Sequence, residues 1–194
     1  MKKIVFATHN RHKLEEVKEI LKDKIDIVGL YDIGCLEEIP ETALTLEGNA
    51  LAKANYVFEN YGMDCFADDT GLEVDALDGR PGVYSARYAG EPSNSERNID
   101  KLLAEMSNFS NRGAQFRTVI ALVEKGKDRC FEGVIKGKIA NERCGKNGFG
   151  YDPVFFPTGC SLSFAQMNPS KKNAISHRAL AVDKLVRYLG ENFD

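Results

Sequence analysis

The stretch KIVFATHNRHKLEEVKEIL, residues 3–21, contains the pattern that decides the fold class. Residues 3–8 are mostly apolar and predict a short buried strand. The apolar residues that follow recur at helical spacing and predict a helix from about Lys13 to Lys22, with Leu14, Val17, Ile20 and Leu21 on its buried face. A strand, a polar loop and a helix in this order are typical of α/β proteins.

The polar loop of this unit is a candidate phosphate site. It consists of Thr8, His9, Asn10, Arg11, His12 and Lys13. Backbone N–H groups and the positive end of the helix dipole point toward such a loop, and Lys13 would add a full charge. The sequence does not match the Walker pattern G-x-x-x-x-G-K-[ST]. On these residues alone, a polar connection in which Thr8 or Asn10 caps the helix is an equally open interpretation.

Further along the chain, helical and strand patterns alternate. A second helix is predicted over about Glu47 to Glu59, and Ser93 with Glu96 has the spacing of a capping box that opens a third. Residues 116–123 and 129–139 predict two long strands joined by a hairpin at residues 125–127. Residues 153–156 predict another strand, and Ser176 is a candidate N-cap for the last helix. The sequence therefore predicts one mixed α/β domain over residues 1–194 whose sheet contains both parallel and antiparallel strands.

Two adjacent acids follow the apolar run Cys65-Phe66-Ala67, which predicts a short strand ending at the turn-prone tetrad Asp68-Asp69-Thr70-Gly71. Neighbouring carboxylates repel each other unless a cation or a proton offsets the repulsion. Magnesium favours one or two carboxylates together with water and phosphate oxygens, and Glu41 is a candidate second ligand. Because adjacent side chains diverge in extended backbone, we expect one acid to face the metal and the other to support it. An exposed acidic turn is the alternative.

Two later segments are further candidates for a functional site, and the first of them could hold a nucleobase. Phe149, Gly150, Tyr151 and Asp152 combine glycine turns with rings that can stack on a base, although a core aromatic in a glycine-rich turn would look the same. Lys172, His177 and Arg178 surround the start of the last helix. Cations in a first helical turn oppose the helix dipole, which indicates either a functional requirement or a solvated basic turn.

Composition limits the possible classes of protein. The chain has 194 residues, 43% of them apolar and 28% charged, as in ordinary globular domains. A net charge of −3 argues against nucleic-acid binding. Five cysteines without C-x-x-C spacing predict buried free thiols in a reducing compartment rather than disulfides or zinc. No apolar run approaches the ~18 residues of a membrane span, so we expect a cytoplasmic protein without a membrane partner.

In combination, these segments resemble the inosine triphosphate pyrophosphatase family, the non-canonical purine (dITP/XTP) pyrophosphatases. The matching stretches are ATHNRHK at 7–13, ETALTLEGNALAKA at 41–54, FADDTGLEVDALDGRPGVYSARYAG at 66–90, GFGYDPVFF at 148–156 and NAISHRALA at 173–181. The resemblance implies an α/β fold with a long mixed sheet flanked by helices, two lobes with a central cleft, and a homodimer. It also implies a Mg²⁺-dependent hydrolase that converts ITP, dITP or XTP to the monophosphate and pyrophosphate.

The resemblance further implies roles for individual residues. Lys13, Lys53 and Asp69 would be catalytic, with Asp69 as proton acceptor for the attacking water, and Glu41, Asp69 and the adjacent Asp68 would form the metal site. The nucleotide-binding set would be Thr8, His9, Asn10, Arg11, His12, Lys13 and Lys53 at the phosphates, Phe149, Gly150, Tyr151 and Asp152 at the base and sugar, and Lys172, His177 and Arg178 at the purine edge. Thr70 would also touch the substrate.

Three positions depart from the family pattern. His9 and Ala43 stand where glycine is frequent, and Gly48 stands where an acid is frequent, so we expect small local changes in geometry.

Two other functions remain open on the sequence alone. One is a nucleotide pyrophosphatase of related fold with a different base preference, and the other is a nucleotide sensor that binds without turnover.

Overall fold

The computed structural model describes residues 3–21 and 25–192. Within them the strands are β1 (Lys3–Phe6), β2 (Asp26–Gly29), β3 (Cys65–Val74), β4 (Pro81–Gly82), β5 (Gly113–Glu124), β6 (Lys127–Ile139) and β7 (Phe155–Pro157). The α-helices are α1 (Arg11–Ile20), α2 (Leu46–Tyr61), α3 (Ser95–Glu105), α4 (Pro169–Ile175) and α5 (His177–Asn192). The predicted end of the first helix at Lys22 lies outside the described residues.

The strands form one mixed sheet. Its order is β2-β1-β3-β5-β6-β7, and β4 pairs with β3 off this path. β1 runs parallel to both β2 and β3, with Val5 opposite Val28 on one side and Cys65 on the other. The β3–β4 and β6–β7 pairs are antiparallel. The predicted mixed α/β fold is therefore confirmed.

The chain divides into two compact units. Unit 1 comprises Met1–Asp69, Thr118–Gly133 and Arg178–Asp194, and unit 2 comprises Thr70–Arg117 and Val134–His177. Each unit has its own apolar core. In unit 1, Phe6 stacks on Phe66 with ring centroids 4.6 Å apart, and α1 and α5 pack their apolar faces around this pair. In unit 2, Phe116 meets the edge of Phe155 at 4.7 Å.

The segment Asp68-Asp69-Thr70-Gly71 lies inside a strand, so the turn predicted at these residues is wrong. β3 continues without interruption from Cys65 to Val74, and both Asp68 and Asp69 are buried in it. Sheet pairing and burial override the local turn preference of these residues. Gly71 is required for another reason: a Cβ there would lie 2.6 Å from the carbonyl oxygen of Gly82 on β4.

Several local expectations also change. The capping box at Ser93 and Glu96 is wrong, because Asn94 caps α3 by accepting a hydrogen bond from the Arg97 N–H at 3.0 Å. β2 and α4 were not predicted. α4 carries a recognisable signal, an Asn168 cap followed by a proline at the first helical position.

Two expectations from the composition concern buried free cysteines and membrane spans. Cys35 and Cys65 are buried free thiols as predicted, whereas Cys130 is exposed on β6. In the described part of the chain, no helix combines the length and the apolar character needed to cross a bilayer.

The predicted hairpin between β5 and β6 turns at two residues with left-handed backbone. Lys125 has φ of 49° and Gly126 has φ of 75°, the pattern of a type I′ turn. Asparagine tolerates this conformation better than lysine. We therefore expect Lys125→Asn to raise the free energy of unfolding by about 0.5–1 kcal/mol in urea denaturation. Gly126→Ala should lower it, and a K125N protein no more stable than wild type would contradict the assignment.

Candidate functional site

A buried network of opposite charges joins three distant segments of unit 1. On α1, Lys13 donates from Nζ to Asp68 Oδ1 at 2.9 Å, and on α5, Arg178 donates from Nε to Asp68 Oδ2 at 3.1 Å. Arg178 also pairs with Glu16, one turn beyond Lys13 on α1. The side chains of Asp68 and Arg178 are each only 1% exposed. Both oxygens of Asp68 are therefore engaged by cations.

The charges around Asp68 fix its ionisation state. Burial by itself would raise its pKa, but Lys13, Arg178 and Lys53 outweigh that effect and hold the pKa well below the usual range. Burial lowers the pKa of Lys13, and the neighbouring Lys53 and Arg178 add to the shift while Asp68 opposes it. Asp68 is thus ionised at neutral pH and orients Lys13.

The second acid of the pair has different neighbours. Asp69 Oδ2 accepts a hydrogen bond from Asn49 Nδ2 on α2 at 3.1 Å, and Lys53, one turn further along that helix, pairs with Glu41. Burial, with a contribution from the charge of Glu41, raises the pKa of Asp69, although Lys53, Lys13 and the Asn49 hydrogen bond oppose this shift. The two adjacent acids therefore diverge as expected from extended backbone, one toward α1 and α5 and the other toward α2.

The environment of Asp69 fits a divalent cation. Burial and, to a smaller extent, the charge of Glu41 raise the pKa of Asp69, and a cation would relieve that repulsion. Among the described residues no group of three or more His, Cys, Asp and Glu side chains is arranged to hold a metal. Two carboxylates match the partial ligand set of magnesium, which takes its other ligands from water and phosphate.

Residues 8–13 form a capped helix start. Asn10 Oδ1 accepts the Lys13 N–H at 3.2 Å, and the Asn10 N–H donates to Thr8 Oγ1 at 3.1 Å. The alternative interpretation of Asn10 as a helix cap is therefore correct, and it places the Lys13 side chain in the charged network described above. Ring nitrogen Nε2 of His9 lies 3.2 Å from the carbonyl oxygen of Cys35, while Arg11 and His12 are exposed.

Two of the departures from the family pattern compensate each other. A Cβ on Gly48 would lie 2.6 Å from the Cβ of Ala43 and 3.1 Å from Thr45 Oγ1. The methyl group of Ala43 therefore occupies space that a side chain at position 48 would need. Small residues at both positions let residues 41–45 lie against the first turn of α2.

Unit 2 holds a second polar cluster around a buried ion pair. Lys172 on α4 donates from Nζ to Asp152 Oδ2 at 2.8 Å, and the same oxygen accepts the Phe149 N–H at 2.9 Å. The Lys172 ammonium lies 4.8 Å from the centroid of the Phe149 ring. Asp152 thus fixes both the lysine and the loop that carries the ring.

Two more side chains complete this cluster. The Tyr151 hydroxyl donates to the carbonyl oxygen of Ser85 at 2.8 Å, and burial raises the pKa of Tyr151 above its usual range. The His177 ring is buried and stacks on Phe116 with centroids 4.6 Å apart. Phe149 is half-buried, whereas Tyr151 belongs to the apolar core of unit 2, so the alternative of a core aromatic applies to Tyr151 and not to Phe149.

The structure divides the predicted residues between the two units. Unit 1 contains Thr8 to Lys13, Glu41, Lys53, Asp68, Asp69 and Arg178. Unit 2 contains Thr70, Phe149 to Asp152, Lys172 and His177. The guanidinium of Arg178 is engaged by Asp68 and Glu16, and its contact with a purine stays a prediction. Sequence reasoning assigned no role to Glu16 or Asn49. The spacing of Glu16, three residues after Lys13, is the one signal that could have indicated it.

Comparisons with known proteins agree on one family. The sequence model of the Ham1 family matches residues 4–188. A dITP/XTP pyrophosphatase of Porphyromonas gingivalis is 59% identical over 190 residues, covering 97% of this chain and 98% of that protein. One of Flavobacterium johnsoniae is 53% identical over 187 residues, covering 96% and 97%. The structure of a HAM1 protein from Coxiella burnetii superimposes with a TM-score of 0.90 at 39% identity, covering 98% of this chain and 100% of the other.

Removing the charge of Asp68 should destabilise the fold. Asp68→Asn leaves Lys13 and Arg178 buried with less compensating charge, and we expect a loss of about 3–5 kcal/mol in the free energy of unfolding at pH 7. The pKa of Asp68 is lower in the folded protein than in the unfolded chain. The ion pairs therefore contribute their full stabilisation above the ordinary aspartate pKa of about 4, and this stabilisation is lost as pH falls further.

The difference between wild type and D68N should therefore shrink below about pH 4 in urea denaturation at a series of pH values. The exposed Asp128 provides the control, since D128N should change stability by less than about 0.5 kcal/mol. A D68N protein as stable as D128N at pH 7 would contradict the role of the buried network.

Proposed function

The chain belongs to the Ham1 family, and from that premise we propose that it hydrolyses non-canonical purine nucleoside triphosphates, ITP, dITP and XTP, to the monophosphate and pyrophosphate. The observation that carries the proposal is the unit 1 cluster, in which Lys13 pairs with Asp68 and Lys53 pairs with Glu41, and both lysines act on the pKa of Asp69. Two lysines and two carboxylates are the groups that binding and cleavage of a polyphosphate with magnesium require.

We assign the phosphate chain to Lys13, Lys53 and the loop from Thr8 to His12. Phosphoryl transfer depends chiefly on positioning and on neutralising charge on oxygen atoms. Asp68 holds the Lys13 ammonium in place, and the Asn10 cap sets the helix start beside it. The proposed magnesium ion, held by Glu41 and Asp69, would supply charge neutralisation at the phosphate oxygens.

Asp69 is the proposed proton acceptor for the attacking water. The resemblance assigns this role to Asp69, whose Oδ2 accepts a hydrogen bond from the neutral amide of Asn49. Asp68 does not suit this role, since Lys13 and Arg178 hold its pKa low. The breaking bond is the one between the α- and β-phosphates, as the resemblance implies.

We assign the base to the unit 2 cluster. The half-buried Phe149 ring offers a stacking surface, and Asp152 holds the Lys172 ammonium 4.8 Å from its centroid. Hypoxanthine and xanthine carry an oxygen at C6, whereas adenine carries an amino group. Lys172 has only donors, so adenine would leave a buried donor without a partner. An enzyme with this base preference would remove deaminated nucleotides before polymerases use them.

The cellular setting and the oligomeric state complete the proposal. All five cysteines are free thiols, which suits the reducing cytoplasm where nucleotide pools are maintained. The resemblance implies a homodimer, and measurement of the molar mass in solution would test this.

The base preference is the first test. Pyrophosphate release should be at least about tenfold more efficient, as kcat/KM, for ITP and XTP than for ATP, because each unsatisfied buried donor lowers transition-state binding. The resemblance implies the same preference over GTP, whose C6 oxygen would satisfy Lys172 as well, so discrimination against guanine must arise at C2. A panel that includes modified pyrimidine triphosphates separates this function from a pyrophosphatase with another base preference. Equal efficiencies across the purines would refute the selectivity.

The second test separates an enzyme from a sensor. Asp69→Asn should reduce kcat for ITP by about 100-fold or more, as expected for loss of a general base, and D128N should leave it unchanged. Calorimetry with ITP shows whether the D69N protein still binds nucleotide. ITP binding by wild-type protein without release of pyrophosphate, with Mg²⁺ present, would instead identify a non-catalytic sensor.

A further inference from the structure

Glu41, one of the two proposed magnesium ligands, lies in a segment without regular secondary structure. Residues 34–45 follow a short turn and precede α2, and Leu36 and Leu44 in this segment are 73% and 81% exposed. Asp69, in contrast, is buried within β3. A metal site that combines these two carboxylates requires something to fix the irregular segment relative to the strand.

Asn49 makes that connection with both ends of its amide. Its Oδ1 accepts the backbone N–H of Ala43 at 2.9 Å, two residues after Glu41, and its Nδ2 donates to Asp69 Oδ2 at 3.1 Å. The side chain is 1% exposed and its Cα belongs to the first turn of α2. One rigid, buried group therefore bonds the segment that bears Glu41 and the carboxylate of Asp69.

The contacts around this amide support the same geometry. Thr45 caps α2 by accepting the Gly48 N–H at 3.0 Å, which fixes the chain direction between the segment and the helix. Ala43 lies directly against Gly48, where an added Cβ would come within 2.6 Å of the Ala43 Cβ. The position of Ala43 is thus defined by a hydrogen bond on one side and by close packing on the other.

We propose that Asn49 is a positioning residue that sets the separation of Glu41 and Asp69 for magnesium binding. The inference rests on the proposed function, because it assumes that these two carboxylates hold the metal. Asn49 itself touches neither metal nor substrate in this scheme. Outer partners of metal ligands typically affect metal affinity or activity by about 10–100-fold.

The test measures metal affinity and turnover in the same variants. Asn49→Ala should weaken Mn²⁺ binding to the nucleotide-free protein by about 10–100-fold, followed by electron paramagnetic resonance of free Mn²⁺. It should also lower kcat for ITP by a similar factor, with KM changed less than about threefold, because misplaced catalytic groups affect the transition state more than substrate binding.

A matched control exists on α3. Asn98 is also buried, accepts the Ala89 N–H at 2.7 Å through Oδ1 and donates through Nδ2 to the Ala86 carbonyl oxygen at 2.8 Å, so it bridges two backbone groups rather than a backbone group and a carboxylate. Asn98→Ala should lower the melting temperature and leave Mn²⁺ affinity unchanged. If N49A behaves like N98A, with lower stability but unchanged Mn²⁺ affinity and kcat, Asn49 is merely structural and the inference is overturned.

A second pair of variants covers the case in which N49A does not fold. Gly48→Ala should displace Ala43 and weaken Mn²⁺ binding while leaving the Asn49 side chain intact, and the double variant A43G/G48A should recover most of the loss. No change in G48A overturns the inference. Failure of the proposed function is distinguishable, because wild-type protein would then release no pyrophosphate from ITP, whereas the Mn²⁺ comparisons would still decide the role of Asn49.

Discussion

The bond between Asp68 and its two cations is the interaction on which the candidate site depends. It joins α1, β3 and α5, three segments separated by 55 and 110 residues along the chain. Burying one carboxylate with Lys13 and Arg178 is favourable only while all partners are present, since removing one leaves an uncompensated charge. The network therefore constrains where Lys13 can be, and with it the cation proposed to meet a phosphate.

The strand geometry of β3 gives the two adjacent acids different environments. Successive side chains of a strand point in opposite directions, so Asp68 and Asp69 share a backbone but not an environment. One is surrounded by cations and has a lowered pKa, whereas the other is buried beside Glu41 and has a raised pKa. A turn at this position, as the residue types suggested, would not have enforced this separation.

The sequence predicted the fold class and the family better than the local structure. Apolar periodicity located β1, α2, the β5–β6 hairpin and α5, because these elements bury regular faces. It did not reveal β2, whose four residues alternate too briefly, or the capping of α3 by Asn94 rather than Ser93. The site residues were grouped by resemblance, and only the fold could show that Arg178 is held by Asp68 and Glu16. Contacts of this kind depend on distant segments and have no local signal.

The packing of Ala43 against Gly48 has a consequence for exchanging residues between this chain and its relatives. A methyl group at position 43 and any side chain at position 48 compete for the same volume, with only 2.6 Å between the two Cβ positions. A side chain at position 48 therefore requires glycine at position 43 or a shift of the segment that bears Glu41. Grafting a larger residue onto position 48 alone would disturb this segment, so the two positions have to be exchanged together.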